Sequence, residues 1–252
     1  MSATTRSDGR SSDAPRPITV QTGFQRFPEG SVIYRCGGTT VLIAASVEES
    51  VPPWMRGKGK GWVTAEYEMH TRANPERQRR ARDKGKVDGR SSEIQRLIAR
   101  ALRAAVRMDK LGEQMITVDC DVLDADGGTR TASITGGFIA LAMALDKLRK
   151  DGKVAAGVIR EPIAAISVGM VGDRHLLDLC YEEDSAAEVD LNVVATSSGA
   201  LVEVQGTAEG APVPKPDFER LLDLGVGAMS ALVAKQREVL REAGVDLDRL
   251  MG

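Results

Sequence analysis

Two periods of apolar and polar residues divide this chain into elements. From Ile18 to Glu48 the pattern is that of strands. Ser31 to Cys36, the pair Gly37-Gly38, then Thr39 to Val47 predict a hairpin on a two-glycine turn. The run VLIAASV is apolar enough to be covered on both faces. Val63 to Met69 predicts a short strand. Ile94, Leu97, Ile98, Ala101, Leu102, Ala105 and Val106 share one face of a helix that Ser91 or Ser92 caps and Leu111-Gly112 ends.

The stretch from Ile116 to Lys150 carries both periods in succession. Ile116, Val118, Cys120 and Val122 alternate with polar residues, as on a strand with one buried face. Asp126-Gly127-Gly128-Thr129 is a turn. An apolar run then begins near Ser133, with Thr131 or Ser133 as its cap and Lys147, Arg149 and Lys150 at its end, which predicts a mostly buried helix. Strand, glycine turn and helix start, with Arg130 at the join, form an arrangement that suits an anion, because free N–H groups and a guanidinium converge there. A tight turn with a surface arginine is the plainer account. The glycine spacing is neither that of a Walker loop nor that of a dinucleotide fingerprint.

After Lys150-Asp151-Gly152-Lys153 the pattern starts again. Ile163 to Val171 with His175 to Tyr181, and Asn192 to Ala195 with Ala200 to Gln205, predict two more hairpins. A helix capped by Asp217 runs to a stop near Gly244. Strands followed by a helix in both halves suggest a duplicated α+β unit. The expected organisation is a disordered tail over 1–16, a first β-α half over 17–150 with a basic arm over 56–90, and a second half over 151–252, in one compact unit.

Charge sharpens this division. Residues 1–150 carry 25 Lys and Arg against 18 Asp and Glu, whereas 151–252 carry 9 against 18. The arm alone has 11 cations and 5 acids. It is either a solvated charged face or a groove for a nucleic-acid backbone. Trp54 and Trp62 stack on bases in the second reading and pack within the protein in the first. No segment reads as a signal peptide or a bilayer span, and Cys36, Cys120 and Cys180 lack the spacing of a disulfide frame or zinc site, so a cytoplasmic protein with buried thiols is expected. His175 reads as structural, and His70 lies at the head of the arm.

The second chemical candidate is Tyr181 to Leu191, where Glu182, Glu183, Asp184, Glu188 and Asp190 lead into the apolar strand LNVVA. Asp190, between Val189 and Leu191, needs a partner, a metal or a raised pKa. Asp184 and Asp190 together suit a hydrated Mg²⁺ or proton donation to a leaving oxygen. An acidic loop facing water fits the same residues.

The stretches KGKVDGRSSEIQRLIARALRAAV, DCDVLDADGGTRTASITGG, YEEDSAAEVDLNVV and EVQGTAEG closely resemble the ribonuclease PH family of phosphorolytic exoribonucleases, from about Arg16 onward. The resemblance implies a duplicated β-α fold like ribosomal protein S5 domain 2. It implies phosphate-dependent removal of nucleotides from the 3′ end of precursor tRNA, releasing nucleoside diphosphates, in a homohexameric ring built as a trimer of dimers. The family's phosphate-binding residues match Arg90, Gly128, Thr129 and Arg130, with Ser133 as a further contact, and Arg130 also counts as catalytic. Its two essential acids match Asp184 and Asp190, the expected Mg²⁺ site. Arg72, Arg77, Arg79, Arg80 and Arg82 suit a tRNA stem or the ring interface. The chain departs from the family at Glu68-Met69-His70-Thr71, where an apolar-proline pair is usual. A non-catalytic RNA-binding ring subunit is the alternative, but such subunits tend to lose the arginine or the acids, which are present here.

Overall fold

A computed structural model describes residues 6–79 and 89–252 of the protein. Strands β1 (Ile18–Thr22), β2 (Gly30–Cys36) and β3 (Thr39–Glu48) form an antiparallel meander. Strand β4 (Trp62–Met69) leads towards helix α1 (Gly89–Ala105) and the short α2 (Met108–Leu111). Strand β5 (Met115–Asp124) then enters the sheet between β3 and β4, giving the order β1-β2-β3-β5-β4. β4 and β5 run parallel, as an intervening helix permits. Helix α3 (Thr129–Lys150) crosses to the second half.

There β6 (Ile163–Val171) and β7 (Arg174–Leu177) make a hairpin, and α4 (Tyr181–Ala186) follows. Strands β8 (Val189–Thr196) and β9 (Leu201–Ala208) complete a sheet of order β7-β6-β8-β9. Helices α5 (Lys215–Gly227), α6 (Met229–Glu242) and α7 (Leu247–Met251) close the chain.

Helix α3 is the shared core. Seventeen of its 22 residues are buried, so it has no solvent face of the usual kind. It packs on β2, β3, β5 and α1 on one side and on β6, β8, α6 and α7 on the other. Gly136 makes this fit possible: a Cβ there would lie 2.6 Å from Ile43 Cδ1 and 2.9 Å from Tyr34 Cβ. In mid-helix, Thr135 exchanges hydrogen bonds with the Ala165 backbone of β6. Gln236 of α6 donates to both Thr135 O and Ile163 O at 2.9 Å. Contrary to the sequence expectation, α3 is long and apolar enough to qualify as a membrane span by length and composition. Its apolar stretch is 89% buried inside the protein, which accounts for that composition.

Several expectations need correction. Residues 6–16 are not a disordered tail, since Arg6 and Arg16 are each only 4% exposed and bound to the second half. The stretch 56–90 is not an arm throughout, because β4 lies in it and buries Val63, Ala65 and Tyr67. The run VLIAASV is covered fully on one face only: Val41, Ile43 and Ala45 are buried, whereas Leu42, Ala44 and Ser46 are half-buried. Helix α3 starts at Thr129, with Gly128 rather than a hydroxyl residue in the capping position. β7 ends at Leu177, where Asp178 turns the chain with a φ of 55°. The last long helix is two helices that meet at Ala228, and Pro214 rather than Asp217 precedes the first. Trp54 and Trp62 pack edge-to-face at 4.8 Å, with Arg103 over Trp62, as in the packing alternative. Cys36, Cys120 and Cys180 are free thiols, but only Cys36 and Cys120 are buried, Cys180 being partly exposed.

Candidate active site

The turn between β5 and α3 sets up the site. Gly127 and Gly128 have φ of +73° and +63°, a region in which a side chain is strained. No side chain caps α3. The backbone N–H groups of Gly127, Gly128, Thr129 and Arg130 find no acceptor among the described residues. These are the orphan donors of a helix start, with the positive end of the helix dipole behind them. Thr129 is turned inward, its hydroxyl 2.9 Å from the Tyr67 hydroxyl of β4, so it offers backbone to the site.

Arg130 is held by both halves. Its Nη1 donates to Gln205 Oε1 of β9 at 3.0 Å, and its Nη2 lies 3.3 Å from Glu93 Oε2 of α1. Gln205 Nε2 donates to the other Glu93 oxygen, which closes a triangle. Such a triangle fixes the guanidinium plane while leaving donors for an anion, since the fork has five N–H groups. Arg90 is exposed in the first turn of α1.

The acids come from the second half. Asp184 lies on α4 and Asp190 near the start of β8, where it pairs with Gly169 and Thr207 on the neighbouring strands. Burial pushes the Asp184 carboxyl above its usual value, against the pull of Arg90, Arg130 and Arg16. Burial also raises Asp190, and the negative charges of Asp184 and Glu209 add to this while Arg130 opposes it. Arg130, at the end of the glycine turn, therefore lies within electrostatic reach of both carboxyls. Helix α4 is pinned from behind: Glu183 accepts from Arg6 Nε at 2.7 Å, and Tyr181 N donates to Asp126 Oδ1 at 3.1 Å.

Of the expected residues, Arg90 and Arg130 act electrostatically on Asp184, Arg130 acts also on Asp190, and Gly128 and Thr129 adjoin Arg130 in the chain. Ser133 does not join them. It is fully buried and its Oγ donates to Thr129 O at 2.8 Å, one helical turn back. Arg72, Arg77 and Arg79 are exposed on the segment after β4; Arg80 and Arg82 lie outside the described residues. That segment is tied to the site turn, because Ala125 N donates to Ala73 O at 2.9 Å. At the departure over 68–71, His70 N donates to Val122 O, and Thr71 O accepts from Gln78 N. His175 Nε2 lies 3.3 Å from Asp217 Oδ1, away from the site acids. Glu93, Gln205, Tyr67 and Arg16 escaped the sequence reading. Glu93 and Gln205 lie within motifs already quoted, and their polarity on an amphipathic helix and an alternating strand was the available signal.

Among the described residues no three His, Cys, Asp or Glu side chains gather as a metal-binding group. A cation here would have two protein carboxylates at most. That fits Mg²⁺, which keeps several waters and often shares phosphate oxygens.

Residues 14–145 match the model of the 3′ exoribonuclease family, domain 1, and residues 161–228 that of domain 2. The chain belongs to the 3′ exoribonuclease family, and its two β-α halves are those two domains. It is 55% identical over 238 residues to ribonuclease PH of Bacillus velezensis, covering 94% of this chain and 97% of that protein. It is 54% identical over 239 residues to ribonuclease PH of Bacillus subtilis, covering 94% and 98%. Rice Rrp46 superposes with a TM-score of 0.76 at 17% identity, over 93% of this chain and 100% of that one. A chain of the Archaeoglobus fulgidus exosome with RNA bound to its active site gives 0.75 at 23%, over 92% of each. The solved structures show the fold, a duplicated β-α unit of mixed sheets with packed helices.

Proposed function

We infer that the protein is a phosphorolytic 3′-to-5′ exoribonuclease that trims the 3′ end of precursor tRNA. Inorganic phosphate is the nucleophile and nucleoside diphosphates are the product. What supports this is a donor-rich turn ending in Arg130, whose charge acts on both Asp184 and Asp190. Free phosphate is already anionic, so the reaction needs little base catalysis. The main task is to hold it against the anionic phosphodiester. The N–H groups of Gly128 and Thr129, with Arg90 and Arg130, seat it by charge and orientation. A phosphate oxygen bonds to the phosphorus of the last linkage while the bond to the 3′ oxygen of the preceding nucleotide breaks. Asp190, kept protonated more readily by burial and by Asp184, gives its proton to that oxygen. Asp184 would hold Mg²⁺, joined by Asp190 only in its ionised form, and the ion would supply charge stabilisation at the phosphate oxygens. The diphosphate product retains an energy-rich linkage, so nucleotide addition from diphosphates is the accessible reverse reaction.

The test is incubation of a tRNA carrying extra 3′ nucleotides with and without inorganic phosphate, with products read by mass. Shortening only in phosphate, with nucleoside diphosphates released, is expected. Nucleoside monophosphates without phosphate would instead mark a hydrolase.

Arg72, Arg77 and Arg79, with Arg80 and Arg82, guide the RNA stem by phosphate contacts. A ring of six, a trimer of dimers, brings several such segments to one substrate and raises effective concentration. Phe27, 80% exposed, and Phe24, 53% exposed, are apolar surface that a second copy would cover. Sedimentation velocity in dilute buffer should show the hexamer, and a monomer with full activity on tRNA would rule the ring out as a requirement. The buried free thiols Cys36 and Cys120 suit a reducing, cytoplasmic setting.

A further inference from the structure

The first described segment, residues 6–16, has no part in the mechanism above, yet it carries an arginine bonded both to Asp178 and to the glycine turn. Arg16 is 4% exposed. Its backbone N and its Nε donate to Asp178 Oδ2 at 2.7 and 3.0 Å, and its Nη2 donates to Asp178 Oδ1 at 2.6 Å. The same guanidinium reaches the glycine turn. Its Nη1 donates to Asp126 O, and its Nη2 lies 3.4 Å from Gly127 O. Thr39 of β3 works from the neighbouring side: its Oγ1 donates to Gly127 O at 2.7 Å and accepts from Asp126 N at 2.9 Å.

Which way those carbonyls point decides what the turn can bind. A trans peptide unit is planar, and its C=O and N–H point in opposite directions. The described chain has no cis peptide. A donor that grips Asp126 O therefore turns the Gly127 N–H away from itself, and a grip on Gly127 O does the same for Gly128. These are two of the N–H groups that find no protein acceptor. In a turn of two glycines nothing intrinsic selects that orientation, because glycine visits many backbone conformations at similar cost.

Asp178 extends the same control to the acids. It is the one non-glycine with positive φ among the described residues, and it lies six residues before Asp184. Its N donates to Ser167 O at 2.7 Å, and Leu179 N donates to Ser167 Oγ at 3.1 Å, so the bend is anchored to β6.

We propose that Arg16, locked by Asp178, is a positioning residue for phosphate: it orients the peptide units of the glycine turn and sets that turn against the segment leading to Asp184. The proposal rests on reading the turn as the phosphate seat. It separates from a merely structural role in one respect. Lysine in place of Arg16 keeps a charge for Asp178 but has no planar fork to hold two carbonyls and a carboxylate together.

The test is steady-state phosphorolysis of a short RNA with phosphate varied, on wild type, Arg16→Gln, Arg16→Lys and Thr39→Val, with thermal unfolding alongside. Arg16→Gln and Arg16→Lys should each raise the KM for phosphate about tenfold, the loss of one charged hydrogen bond, while the KM for RNA stays within about twofold. Arg16→Lys should recover most of the thermal stability lost in Arg16→Gln without recovering the phosphate KM. Thr39→Val, which leaves the Arg16 clamp in place, should also weaken phosphate and not RNA. Recovery of both stability and phosphate KM by lysine, or an unchanged phosphate KM in Arg16→Lys and Thr39→Val, would overturn the proposal. Phosphate-independent shortening by the wild type would overturn the underlying reading of the turn instead.

Discussion

Replacing Arg130 with Ala lowers phosphate-dependent release of nucleoside diphosphates by about a thousandfold, within the range seen when one preorganised charge-stabilising donor is removed. The loss has two parts. The guanidinium that neutralises the approaching phosphate is gone, and Glu93 and Gln205 lose the cation that closes their triangle. Glu93 then faces the site as an uncompensated carboxylate and repels the anion. Stability should change by under about 1 kcal/mol, because the Arg130–Glu93 pair is partly exposed, at 21% and 40% of the two side chains. Arg130→Lys should fall between wild type and Ala, since an ammonium carries the charge without the bidentate fork. Single-turnover rates against phosphate concentration, with circular dichroism on each variant, check both halves of this expectation. Alanine retaining a tenth of the wild-type rate would remove Arg130 from the mechanism.

Asp190→Asn should be nearly as damaging, with a loss of about a hundredfold to ten-thousandfold, the usual worth of a positioned general acid. The substitution keeps shape and removes the proton donor. The pH profile gives the sharper readout. Asp190 has to be protonated to act, and burial with the charges of Asp184 and Glu209 raises its pKa above the ordinary 3.8. Wild-type activity should therefore decline as pH rises through that raised value, and Asp190→Asn should lack this limb. Asp184→Asn removes one of the raising charges, so the limb should move to lower pH. For stability the sign is similar: the buried carboxylate costs most once ionised, so Asn should stabilise the fold above that value and make little difference below 3.8. A limb that persists in Asp190→Asn would assign the proton to another group.

Much of this was legible in the sequence, and the parts that were not share a cause. The alternation of Ile116 to Val122 and the helical spacing from Ile94 to Val106 gave β5 and α1, because each element buries one face and its period is visible. α3 was legible as a buried helix from its apolar run, but its start was misplaced by four residues against Ser133, since Gly128 in a left-handed conformation caps it and hydroxyl residues lie inside. Ser133 failed as a phosphate ligand for the same reason. Arg130, Asp184 and Asp190 stood out as candidates from their local residues, with the resemblance adding a role for each and for Arg90, whereas the triangle around Arg130 depends on α1 and β9 meeting, a contact between positions 93 and 205 that no local pattern encodes. Residues 6–16 misled most. Their composition is that of a tail, but three arginines there pair with the carboxylates of two acids more than 160 positions away. Charge complementarity over that separation is invisible to any window.

Because α3 is enclosed by both sheets at once, the two family domains are not separable modules in this chain. A fragment ending at Lys150 would expose the flank that β6, α6 and α7 cover, and a fragment beginning at Asp151 would lack the rod its own sheet closes upon. Neither piece would have a complete interior, so the two halves depend on each other to fold.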